Sequence, residues 1–289
     1  MLILFTDTDT DTTPEIAKEY GYNLISMPYS VGGEEIFPYE DFEVFDYQPF
    51  YAKLRKGTIP STSGISPSKY MNYFEPHFQN GDDILYVHFS TQLSGTFNAM
   101  NIAVDELLEK YPDRKFYTID TKAITICSLN IVREIGDLYK QGKTIDEIMD
   151  WAKEEDDKFA IYFYADDLKF FQRSGRVSNF KAIVGDFFGI KPIINIGSDG
   201  KMVSIGKGKG RIGALRKIIS YVEELQEDIK DHRVIIGHTD ALEIAEMLAE
   251  MLREKFGQDL NIEFVIVNPT AGSHCGPDGI GVSFHAKHR

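Results

Sequence analysis

Cysteine is nearly absent from this chain: its 289 residues hold only Cys127 and Cys275. Two thiols without metal-type spacing exclude a disulfide framework and a cysteine-based zinc module. The seven histidines form no H-x-x-x-H pair, so zinc is not expected on that pattern either. Basic charge is in short supply: Lys and Arg total 31 against 45 Asp and Glu, a formal net charge of −14. Such a chain is a poor partner for phosphate backbones and gains nothing from an anionic membrane surface. Long apolar runs are missing too, none approaching the roughly 18 residues that span a bilayer. The start, MLILFTDTD, is apolar for five residues and has no basic flank, which is not a signal peptide. These absences point to the reducing cytoplasm, with no nucleic acid, no stable membrane insertion and no metal.

What is present is a large apolar complement. Hydrophobic residues make up 43%, including 20 Phe and 15 Tyr. That serves a well-filled core or room for an apolar ligand. The length suits one large or two modest domains.

Apolar periodicity places alternating strands and helices along the first half. Residues 1–5 read as a buried strand, followed by a polar loop over 6–14. Residues 24–31 and 35–37 flank Gly32-Gly33 as a hairpin. Ser66-Pro67 opens a helix whose stripe is Tyr70, Phe74 and Phe78. A strand over 84–89 is followed by a helix from Thr96, with Ala99, Ile102, Ala103 and Leu107 at helical spacing. Residues 115–119 form the next strand and 123–139 the next helix. Thr144 and Glu147 make a capping box for a further helix. This rhythm implies a mostly parallel sheet.

The second half changes rhythm after the acidic stretch 154–157. A strand over 159–164 precedes a helix over 179–188. Residues 190–196 and 201–205 flank the turn Ser198-Asp199-Gly200. Helices and strands then alternate to a closing strand over 281–285. The expected fold is α/β in two domains: 1–157 with a mostly parallel sheet, and 158–289, α+β with a mixed sheet.

Several short motifs fail on inspection. DTDTD at 7–11 lacks the Gly and Glu of a calcium loop, since Thr12 and Lys18 fill those places. GKT at 142–144 follows a helix and lacks the earlier Gly of a P-loop. GKGKG at 206–210 has Arg211 where a dinucleotide fingerprint needs Gly.

Three polar clusters remain: PSTSGISP at 60–67, STQLSGT at 90–96, and the Gly-rich NPTAGSHCGPDGIG at 268–281, read as a turn between two strands. Hydroxyls beside a helix start either cap the helix or, with its free N–H groups, hold an anion. Thr62, Ser63 and Ser94 are candidates for holding a carboxylate or phosphate. His274 is either an ordinary loop residue or a ligand contact. The basic turns RSGRVS (173–178) and KGKGR (207–211) are solvated loops or contacts for a phosphate or acidic partner. The apolar stretch 182–190 is a core helix or one wall of a tunnel.

Taken together these segments resemble the DegV family. TDTDTD (6–11), PSTS (60–63), STQLSGT, IDTK (119–122), RSGRVS, IKPIINIGSDGK (190–201), KGR (209–211) and GSHCGPDGIG keep the family's order across the whole chain. The resemblance implies a DegV-like fold of two α/β domains holding one fatty acid, such as palmitate, stearate or oleate, between them. It implies no catalysis and no cofactor, and a separate fatty acid kinase to which the bound acid is presented for phospholipid synthesis. By motif, Thr62, Ser94 and His274 match carboxylate contacts, and Arg173 and Arg211 match basic positions for the partner or the phosphorylated product. The chain departs from the family at Gly64-Ile65, at 126–129 and at Ser174, which bears on chain-length preference and on the kinase. Two other readings stand beside the carrier. One is an enzyme on a small anionic substrate, since related folds include dihydroxyacetone-kinase-like domains. The other is a lipid-sensing regulator.

Overall fold

In the computed structural model, residues 1–178 and 189–289 are described. Strand β1 (Leu2–Asp7) lies at the middle of a four-stranded sheet in the order β2-β1-β6-β7, with β2 at Tyr22–Ile25, β6 at Asp83–His88 and β7 at Phe116–Asp120. Every pairing in it is parallel. Crossovers of that kind need intervening helices. They are α1 (Pro14–Tyr20), α3 (Pro67–Gln79) and α4 (Thr96–Lys110), while α5 (Thr125–Lys140) follows β7 and packs against the second large sheet. Ser66 caps α3 through its side chain, and Tyr70, Phe74 and Phe78 are buried as the periodicity requires. In α4 the buried stripe is Phe97, Met100, Ala103, Val104 and Leu107. Ile102, expected on the same stripe, is 58% exposed instead.

The expected single strand over 24–31 is two strands in two sheets. β2 ends at Ile25, and after Pro28 the chain enters β3 (Tyr29–Val31). β3 pairs antiparallel with β4 (Glu34–Ile36) around the left-handed Gly32-Gly33 turn, and with β5 (Ser61–Thr62). Helix α2 (Tyr47–Arg55) completes this small layer. Phe50, Tyr51 and Leu54 form its core together with Tyr29 and Phe170.

Helix α6 (Ile145–Glu155) begins with both bonds of the predicted capping box. The second large sheet follows, in the order β10-β9-β8-β13-β11-β12. Its strands are β8 (Phe159–Tyr164), β9 (Ile190–Ile196), β10 (Met202–Lys209), β11 (Val234–His238), β12 (Ile262–Ile266) and β13 (Ile280–His285). Only β11 and β12 pair in parallel. The sheet is therefore mixed, as expected. β10 runs further than the sequence suggests, through Lys207-Gly208-Lys209, because these residues continue the antiparallel pairing with Pro192, Lys191 and Ile190 of β9. Glycine is needed at 208, where a Cβ would strike the backbone of Ala214 in the next helix. Helices α7 (Leu168–Ser174), α8 (Gly210–Leu225) and α9 (Leu242–Phe256) belong to this half. The helix expected over 179–188, and with it most of the apolar stretch 182–190, lies outside the described residues.

One apolar core joins the two sheets. It includes Leu85 and Ile131 from the first half and Ile161, Ile194 and Ile235 from the second. No helix among the described residues is long and apolar enough to cross a membrane.

Candidate functional site

The polar start of the chain is not a surface loop. Residues 6–12 are all buried, and Thr8–Thr10 form a short 3-10 turn after β1. The acids of the DTDTD motif then face different ways. Asp7 accepts hydrogen bonds from Tyr86 Oη (3.0 Å), Phe89 N (3.3 Å) and Asp9 N (3.0 Å). It thereby ties β1 to the end of β6, where the STQLSGT loop begins. Asp11 Oδ1 accepts from both Asn268 N (2.8 Å) and Asn268 Nδ2 (2.7 Å). Burial raises both carboxyls to about 7, against the lowering effect of those donors.

Asn268 is also the cap of α10 (Pro269–Cys275), its Oδ1 accepting from Ala271 N at 2.9 Å. The Gly-rich segment expected as a plain turn therefore contains a helix, and His274 sits in its last turn. An Asn cap and Pro at the first helical position outweigh the weak propensity of Gly272. Glycine is required there for packing, because a Cβ would collide with Tyr51 Oη. Thr270 Oγ1 donates to Met27 O at 2.8 Å, so α10 is fastened to the first half at two points.

The result is that His274 Nε2 lies 2.8 Å from Thr62 Oγ1, although 212 residues separate them in the chain. Both line a cavity of about 330 Å³ between the two sheets. Ser63 and Ser94 line it as well, so the four predicted head-group residues share one space. They are not equivalent. Ser63 is exposed, and its Oγ donates to Glu35 Oε1 at 2.7 Å. Ser94 Oγ accepts from Thr96 N at 3.2 Å, at the start of α4. Helix α4 has no side-chain cap at Gly95.

Much of the remaining wall is apolar, with Phe89, Leu93, Ile126, Ile161, Phe163 and Val267 among its residues. Helix α5 approaches the second sheet closely because β11 has glycine at 237; a Cβ there would stand 2.8 Å from Ile126 Cγ2. Enclosure by protein pulls the His274 imidazole down to about 4, and the positive charge of Arg176 adds to the effect. Burial pushes the Cys275 thiol up to about 12, with help from the Asp11 charge. His274 is thus neutral at physiological pH and Cys275 is an unreactive thiol.

Arg173 and Arg211 do not line this cavity. Arg173 is exposed at the end of α7. Arg211 opens α8, where its Nε meets Asp166 Oδ1 at 3.1 Å and Nη2 lies 3.9 Å from Asp278. The guanidinium that does line the cavity is Arg176. Gly175, in the left-handed region at φ +66°, turns the chain after α7 to bring it there. Arg176 also donates to Ser174 O at 2.6 Å. The signal was in the sequence as the second arginine of RSGRVS. Asp9, which lines the cavity as well, was hidden because a run of Asp and Thr reads as solvated loop.

Two α/β layers closing on one buried, largely apolar cavity with a polar head define the structural class. The chain belongs to the DegV family: residues 1–287 match the family model described as "uncharacterised protein, DegV family". A DegV domain-containing protein of Clostridium perfringens is 34% identical over 283 residues, 98% of this chain and 96% of its own. Among solved structures, a DegV family protein of Thermus thermophilus described by its fatty acid binding superposes with a TM-score of 0.85 at 21% identity, over 99% of both chains. A stearic acid-binding protein of Eubacterium ventriosum does so with a TM-score of 0.84 at 20% identity, again over 99% of both. At those identities the likeness establishes the fold.

Proposed function

We propose that this protein binds one long-chain fatty acid, with the carboxylate at Thr62, Ser94 and His274 and the acyl chain along the apolar wall. The observation that carries the reading is the Thr62–His274 pair standing at 2.8 Å on a largely apolar cavity. Burying an acyl chain contributes about 0.8 kcal/mol per methylene, so a chain of palmitate length supplies on the order of 10 kcal/mol before the costs of binding. The head group then needs only donors: two hydroxyls, a neutral imidazole and the Arg176 guanidinium. The solved relatives described as fatty-acid binders support the same ligand class. Ser63, with its hydroxyl engaged by Glu35, serves at the mouth.

The wider role we propose is that of a carrier in the cytoplasm that offers its acid to a separate kinase. Arg173, exposed at the end of α7, is the better placed of the two outer arginines for such a partner. Arg211 is already engaged by Asp166. A binder suits the chemistry better than an enzyme acting through Thr62. An imidazole whose pKa is held at about 4 is a weak base for activating a hydroxyl.

The test is native mass spectrometry of protein purified from bacteria, with identification of the extracted lipid. One fatty acid per chain, lost when Thr62 and Ser94 are both replaced by Ala, is the expected result. A protein that is empty and also refuses added oleate would overturn the reading. ATP-dependent turnover by this chain alone would favour the small-anion enzyme.

A further inference from the structure

Asp9 occupies a position that none of the contacts described so far explains. It lies in the 3-10 turn after β1, is 6% exposed and lines the cavity. Its Oδ1 is buried with no hydrogen-bond partner among the described residues. Of its two neighbours in the motif, Asp7 is committed to Tyr86 and the backbone. Asp11 gives Oδ1 to Asn268 and leaves Oδ2 unpartnered among the described residues, but Asp11 does not line the cavity. A native fold leaves a buried carboxyl oxygen unpartnered only at a cost, and a ligand is one group that removes it.

The groups around Asp9 set its charge. Asp7 and Asp11 flank it on its own segment and oppose ionisation, after the larger effect of burial. Arg176, from the turn after α7, favours ionisation. Tyr70 of α3 and Tyr86 of β6 are near enough to feel the Asp9 charge. From α10 come the neutral His274 and the Cys275 thiol. Helix α5 contributes Thr125 and Ile126 to the cavity, neither of which titrates. Asp9 is held well above the usual carboxylate range by this setting. In that state it carries a proton and is a hydrogen-bond donor.

We propose that Asp9 is a direct contact of the bound head group, donating a hydrogen bond from its protonated carboxyl to the ligand carboxylate. The inference rests on the fatty-acid reading above. An ionised Asp9 would instead set two like charges side by side in a desolvated space. Loading is therefore coupled to the proton on Asp9: either it is already present, or one is taken from solvent as the ligand enters. Above the ionisation of Asp9 in the empty protein, affinity falls about tenfold per pH unit, by linkage.

The experiment uses the full chain and oleate, with dissociation constants measured by calorimetry from pH 6 to 10. Oleyl alcohol, which has no carboxylate, is the comparison ligand. Wild-type affinity for oleate is expected to fall towards alkaline pH more steeply than affinity for the alcohol. Asp9→Asn, whose amide still donates but does not titrate, is expected to bind oleate with that fall removed. Controls with Asp7→Asn and Asp11→Asn are expected to keep it. Wild-type affinity that is flat over the range, or a fall that Asp9→Asn retains, overturns the proposal while leaving the fatty-acid reading intact. The wild-type profile decides even if the variant fails to fold. Failure of the wild type to bind oleate at any pH overturns both.

Discussion

Thr62 gains its meaning from His274. The hydroxyl is held at hydrogen-bond distance by an imidazole that stays neutral, so it can turn its proton towards an anion. Replacing Thr62 by Ala removes one donor to a charged group, worth roughly 1.5–3 kcal/mol. We expect affinity for a fluorescent fatty acid to fall about 10- to 100-fold in displacement titrations, with Thr62→Ser restoring most of it. An affinity unchanged in Thr62→Ala would remove this residue from the site. Asp7 and Asp11 make a different prediction. Their folded pKa of about 7 exceeds the 3.8 of a free aspartate side chain, so the native state binds more protons than the unfolded chain between those limits. Their contribution to stability is therefore fully present below about pH 4 and lost as pH rises through about 7. Asp7→Asn should lose less stability than wild type between pH 5 and 8, read as urea midpoints. Parallel profiles for the two proteins would contradict the assignment.

At the scale of elements, two helix caps that look alike in sequence do different things. Thr144 caps α6 on an exposed surface, closing its bonds with Glu147. Asn268 caps α10 while both of its N–H groups hold Asp11. Thr144→Ala should cost about 1 kcal/mol and leave ligand affinity alone. Asn268→Ala should cost more, roughly 2–3 kcal/mol, since it also strips the Nδ2 donor from the buried Asp11 carboxyl. It should weaken ligand binding too, because α10 carries His274. Chemical denaturation together with oleate titration on the two variants separates these outcomes. Equal effects on affinity would show that α10 does not position the site.

Across the whole molecule, the proposed units 1–157 and 158–289 share one core, and Asn130 Nδ2 reaches Ser283 Oγ at 3.2 Å across them. We expect one cooperative unfolding transition rather than two. Trp151, the only tryptophan, packs 6.2 Å from Phe159 beside the boundary, so its fluorescence should change together with far-UV circular dichroism. Two separated transitions would argue for independent domains. Much of this architecture was written locally. The strand–helix rhythm, the Ser66 and Thr144 caps, the Gly32-Gly33 hairpin and the polar clusters around Thr62, Ser94 and His274 depend on neighbours in sequence, and periodicity and capping chemistry report them directly. Other features are set by contacts between segments far apart. The break between β2 and β3, the exposure of Ile102 and the length of β10 follow from which sheet or helix each segment meets. Three acids spaced two apart are indistinguishable in sequence, yet Asp7 finds Tyr86, Asp11 finds Asn268 and Asp9 is left facing the cavity. The choice of Arg176 over Arg173 is made the same way, by a left-handed Gly175 that turns one guanidinium inward. Local pattern sets which residues are available for chemistry, but a side chain's charge and partner depend on desolvation and on groups brought up from elsewhere in the chain, and those exist only once the two sheets have closed.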